Sequence, residues 1–116
     1  MVEKSARKGS IPWVQIYLEF PDNVLLLQAE KKRGGVVDFK VIYYAIIDGK
    51  QHQIIRYDCS HGFAHKDVFY TNPPVKEPMP HLPYDKLLDI AKEDIKDNWR
   101  EYRSKFMNNT GQRRER

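Results

Sequence analysis

Cysteine is nearly absent: Cys59 is the only one in 116 residues. No internal disulfide can form, and a zinc site would need histidines to complete its ligand set. Such usage fits a reducing compartment, so a cytoplasmic location is expected. Long apolar runs are lacking too. The longest, Val41–Ile47, has seven residues, against roughly 20 for a helix that crosses a bilayer. Met1–Ser10 is polar and has no apolar stretch of the secretory-signal kind, so no membrane association is expected. The body of the chain also lacks surplus charge. Met1–Lys8 and Gly111–Arg116 each carry three basic residues and one acidic residue, which leaves 14 basic and 14 acidic groups between them. The net charge of +4 therefore belongs to the chain ends. A sequence-independent DNA binder usually carries its basic face on the folded domain, and here the body offers only Lys31-Lys32-Arg33 as a cluster.

What is present is a strand-rich first half followed by one helix. Trp13–Phe20 alternates: Val14, Ile16, Leu18 and Phe20 fall on one face, and Trp13, Gln15, Tyr17 and Glu19 on the other. Asp22-Asn23 supplies turn chemistry, and Val24–Glu30 reads as the returning strand, with Leu25, Leu27 and Ala29 beside Phe20, Leu18 and Ile16. Beyond the Lys31–Gly35 loop, Val36–Ile47 is rich in β-branched and aromatic residues. Asp48-Gly49 is a strong hairpin signal, with His52–Asp58 returning. An uninterrupted register puts Phe39, Val41, Tyr43, Ala45 and Ile47 on the face of His52, Ile54, Arg56 and Asp58, and Tyr57 on the other. Phe63–Tyr70 reads as a fifth strand. Five of the seven prolines fall in Thr71–Pro83, which predicts an extended connection. From Pro83 onward, Leu88, Ala91, Ile95, Trp99, Tyr102 and Phe106 form one apolar helical stripe, which must lie across an apolar sheet face to be buried. The expected architecture is α+β: an antiparallel meander of about five strands with one long C-terminal helix across one face. A single domain over 12–107 is expected, with irregular basic ends at 1–11 and 108–116.

Any chemistry concentrates in the polar block from Arg56 to Asp67 (RYDCSHGFAHKD). Arg56 and Asp58 fall on the expected core face, where charges must be paired or must line a cleft. A closed four-residue loop at 59–62, or a two-residue turn at Ser60-His61, pairs Asp58 with Phe63 and sets Arg56 opposite His65, with Asp67 farther along the same face, whereas a three-residue register turns His65 away. A metal-independent ribonuclease needs a proton acceptor, a proton donor and a cation at the phosphate. His61 and His65 supply the first two, Arg56 or Lys66 the third, and Asp58 orients a histidine. Cys59, His61 and His65 with Asp58 or Asp67 make an alternative metal set, which lacks a second closely spaced pair. The same residues also serve as a recognition surface or as a buried ion pair that fixes the strand end. Tyr43, Tyr44 and Trp99 read as core residues.

Arg56-Tyr57-Asp58 followed by His61-Gly62-Phe63-Ala64-His65-Lys66-Asp67 resembles the RYD…HGFAH(R/K)D block of a family of small, uncharacterised bacterial and archaeal proteins. The stretch Asp94–Arg103 resembles that family's D(L/I)xxNWxxYR helix, and the resemblance runs over about residues 36–107. More loosely, the strand-rich half with Arg56-Tyr57-Asp58 and following histidines is similar to TumE-type toxins of toxin–antitoxin modules. That resemblance implies a toxin-like protein acting on RNA, with Arg56, Asp58, His61 and His65 as catalytic candidates, no cofactor, and an antitoxin-like protein and RNA as partners. The alternative is a non-catalytic protein-binding or regulatory module in which the block is structural.

Overall fold

A computed structural model describes residues 10–59 and 62–111. Six strands and a helix follow one another: β1 (Ser10–Glu19), β2 (Asn23–Lys32), β3 (Gly35–Ile47), β4 (Lys50–Asp58), β5 (His65–Val68), β6 (Val75–Pro78) and α1 (Tyr84–Phe106). The strands form one open antiparallel sheet in sequence order, and the helix ends in a π-helical turn at Met107–Gly111. The architecture is α+β, with six strands rather than about five. The additional one, β6, comes from the proline-rich connection. It is an exposed edge strand, where proline is tolerated because one side of the ladder needs no donors. No helix among the described residues is long and apolar enough to cross a membrane. The irregular ends expected at 1–11 and 108–116 lie largely outside the described residues.

Turn chemistry sets the registers. Arg33-Gly34 and Asp48-Gly49 all have positive φ, the conformation of tight hairpin turns whose twist matches the strands. The first hairpin departs from expectation. Ile16 pairs with Leu25 and Val14 with Leu27, because the turn is made by Phe20-Pro21-Asp22 and Phe20 does not pair. The shift is even in residue count, so the apolar face expected of β1 and β2 survives.

The second hairpin corrects the sequence-based expectation more deeply. Ala45 pairs with His52 as an uninterrupted register requires, but Tyr43 faces Ile55 while Tyr44 faces Gln53. Ile54 is therefore an extra residue, a β-bulge. Beyond it every side chain of β4 changes face: Tyr57 pairs with Val41, and Arg56 with Ile42. Ile54 and Ile55 are both fully buried, which strict alternation in a one-sided sheet does not allow.

Helix α1 covers the face of Phe39, Val41 and Tyr43. Tyr84 meets Phe39 edge-on at 5.8 Å and Trp99 meets Tyr43 at 6.1 Å. Its buried stripe is Leu87, Ala91, Ile95, Trp99, Tyr102 and Phe106, with Leu87 in the place expected for Leu88. Asp85 in the first turn accepts a hydrogen bond from the Val36 amide at 2.7 Å and ties the helix start to β3.

Candidate functional site

Strands β4 and β5 pair directly through the polar block: Asp58 with His65, Tyr57 with Lys66, and Arg56 with Asp67. The expected partner of Asp58 was Phe63. The connection is two residues longer, and its parity keeps His65 and Asp67 on the face of Arg56 and Asp58. Successive strand residues point to opposite faces, so the block divides into two networks, one on each side of the sheet.

On the face away from α1, Arg56 Nε donates to Asp58 Oδ2 at 2.8 Å, and His65 Nε2 lies 2.9 Å from Asp58 Oδ1. Asp67 Oδ2 is 3.8 Å from the same His65 nitrogen, and its Oδ1 accepts from Lys76 Nζ at 2.9 Å. The centre of this chain is inaccessible: His65 is 1% exposed and Asp58 3%. The Phe63 ring lies 5.5 Å from the His65 ring. Arg56 stands at the rim with its side chain 32% exposed. Three of the four expected site residues, Arg56, Asp58 and His65, thus come together, on the helix-free face rather than the helix-covered one. His61 lies outside the described residues. Asp58, His65 and Asp67 each place a ligand atom within 4.8 Å of the others, a spacing compatible with a divalent cation. Arg56 and Lys76 already bring two positive charges to the two carboxylates. Cys59 is half-buried beside this strand end, and burial pushes its thiol up to about 11 despite a hydrogen bond with the Phe39 backbone. Burial thus favours the thiol over the nucleophilic thiolate.

On the helix side, Asp94, Asn98 and Tyr102 recur every four residues along one edge of α1 and meet Tyr57 and Lys66. The Tyr57 hydroxyl donates to Asp94 Oδ2 at 2.5 Å, Tyr102 donates to Asp94 Oδ1 at 2.7 Å, and Asn98 Nδ2 donates to the same oxygen at 2.8 Å. Lys66 Nζ donates to the Tyr102 hydroxyl at 3.0 Å and lies 3.4 Å from Asp94. The Lys66 ammonium also lies over the Tyr102 ring, 4.8 Å from its centre, and Tyr70 stacks on that ring at 5.7 Å. Burial alone would raise the Asp94 pKa. Hydrogen bonds from Tyr57 and Tyr102, the Lys66 charge and Asn98 outweigh it and hold the carboxyl below its ordinary value. Burial, then the adjacent Asp94, raises both Tyr57 and Tyr102 well above the usual phenol range. Both shifts favour protonated phenols around an ionised carboxylate near neutral pH, the arrangement in which the phenols donate and Asp94 accepts. Sequence reasoning placed Lys66 only as a phosphate cation and Tyr102 only in the apolar stripe. The four-residue recurrence of Asp94, Asn98 and Tyr102 was the signal available for a polar edge beside that stripe.

A cavity of about 250 Å³ beside the start of α1 reaches Gly62, Phe63 and Ala64 but is not lined by Asp58 or His65. No curated protein and no solved structure matches the chain. A family model, the domain of unknown function DUF7718, matches residues 12–112. That match takes in the sheet, the helix and both polar networks, and the chain belongs to the DUF7718 family.

Proposed function

We propose that this domain works by binding a protein partner, and that the block around Asp58 and His65 is part of its scaffold. The observation that carries this is the 1% exposure of His65. A general acid or base must come within about 2.6–3.2 Å of the proton it moves, directly or through one water, and a ring this deeply covered favours a structural hydrogen bond over contact with substrate. The second network supports the same role, since its pKa shifts favour the hydrogen-bonded arrangement. Partner binding is supported by the open edge of the sheet. Among the described residues β1 pairs only with β2 and stands at the edge of the sheet, with one side of its backbone ladder open. Trp13, Val14 and Tyr17 are exposed along it, which puts apolar surface on both faces. The occupant that fits is an extended apolar segment of a partner protein, antitoxin-like in the expected class, added as a further strand. Because the body of the chain carries no net charge, apolar contact and backbone pairing would dominate the recognition.

A second reading keeps RNA as the substrate. It is favoured by the rim position of Arg56, whose guanidinium is the solvent-facing end of the Arg56–Asp58–His65 chain, and by the similarity to TumE-type toxins. In that reading Arg56 takes the phosphate, Asp58 orients His65, and His61 and His65 accept the 2′-hydroxyl proton and return one to the leaving oxygen. Incubation of the purified chain with total RNA in EDTA separates the two. Intact RNA is expected for the binding module; cleavage that disappears in His65→Ala would establish ribonuclease chemistry instead.

A further inference from the structure

Between the β1–β2 turn and the C-terminal half of α1 lies a cavity of about 440 Å³, within the usual size of small-molecule sites, about 300–1,000 Å³. Its two sides carry opposite charge. Glu19 comes from the end of β1 and Asp22 from the turn, Arg100 and Arg103 come from the helix, and Trp99 immediately precedes Arg100 in sequence. Opposite charges sharing one cavity ordinarily pair, yet no ion pair among the described residues involves any of these four. Among the described residues Glu19 accepts only from Asn23 Nδ2, at 3.2 Å. Asn23 is itself buried and held by the Tyr43 hydroxyl at 2.7 Å, so the acidic side is anchored to the core. On the basic side, Arg100 Cζ lies over the Trp99 ring, 4.5 Å from its centre. Arg103 Nε is buried and makes no hydrogen bond to any described residue. A buried donor of a charged group without an acceptor is costly, and such groups are nearly always satisfied.

We propose that this cavity binds a small bipolar ligand, with an anionic group on Arg103 and Arg100 and N–H donors on Glu19 and Asp22. A simple anion meets two carboxylates there and a simple cation meets two guanidiniums, so only a ligand with both ends satisfies both sides. That chemistry is common to a free amino acid and a nucleoside monophosphate. The site is separate from the Asp58–His65 chain and does not depend on the role assigned to it.

The test is calorimetric titration of the full chain with L-glutamine, guanosine monophosphate and inorganic phosphate, repeated on Arg103→Gln and Glu19→Gln with thermal melting as the control for folding. At least one bipolar probe is expected to bind more tightly than phosphate, and to weaken about ten-fold or more in each variant, the loss of one charge-assisted hydrogen bond. Glutamine binding alone identifies an amino-acid site, and guanosine monophosphate binding alone a nucleotide site. Should Arg103→Gln fail to fold, Glu19→Gln, at an exposed strand end, carries the test alone. The proposal is overturned if no probe binds at millimolar concentration, if phosphate binds as tightly as the bipolar probes, or if Glu19→Gln binds as well as the wild type.

Discussion

Asp94 joins the helix to the sheet through Tyr57 and Lys66 and is held in place by Asn98 and Tyr102 of its own helix. It accepts from Tyr57, Tyr102 and Asn98 and faces Lys66. Asp94→Asn keeps the shape and removes the charge, and should cost about 2 kcal/mol in urea denaturation at neutral pH, as for hydrogen bonds to a charged group. The sign of the pH dependence follows from the lowered carboxyl pKa. The stabilisation is fully present above the unfolded carboxyl value of about 3.8 and is lost as pH falls through the lower folded value, so wild type and variant should converge in acid. Tyr57 behaves in the opposite way. Its pKa is raised above the ordinary 10.0, so its contribution is intact below that pH and declines as pH rises beyond it. The alkaline loss of stability should be smaller in Tyr57→Phe than in the wild type, measured by denaturation midpoints from neutral pH upward.

At the scale of elements, the helix and the hairpins were legible in the sequence because each is specified by a short-range pattern. The apolar stripe of α1 and the Asp48-Gly49 turn need no distant information. The bulge at Ile54 was not legible by counting alternation, since one inserted residue leaves composition unchanged and reverses every later side chain. The adjacent Ile54 and Ile55, both buried, were its only local sign. As a result Arg56, Asp58 and His65 were grouped correctly but assigned to the wrong face of the sheet, and Tyr57 was assigned away from the helix it fastens. Strand β6 was missed because its backbone pairing with β5 leaves no apolar pattern on four exposed residues. Deleting Ile54 restores simple alternation and turns Tyr57 away from Asp94. Its expected consequence is loss of cooperative unfolding by circular dichroism, whereas a native-like transition would mean that the bulge is dispensable.

For the whole molecule, the sheet is asymmetric: α1 covers its middle strands, and β1 stands as an exposed edge carrying Trp13 and Tyr17. Tyr17→Lys, a charge on the edge strand, should leave thermal stability within about 0.5 kcal/mol of wild type while weakening recovery of the proposed protein partner in co-purification. Equal recovery with both proteins would remove β1 as the docking edge. The central claim, that the Arg56–Asp58–His65 chain holds the fold together, concerns global stability and is tested by the unfolding free energy of His65→Ala in urea. Removing the ring leaves the Asp58 carboxylate buried with one partner fewer, and a loss of about 3 kcal/mol or more is predicted. A variant within about 0.5 kcal/mol of wild type, the ordinary range for a surface substitution, would contradict the claim.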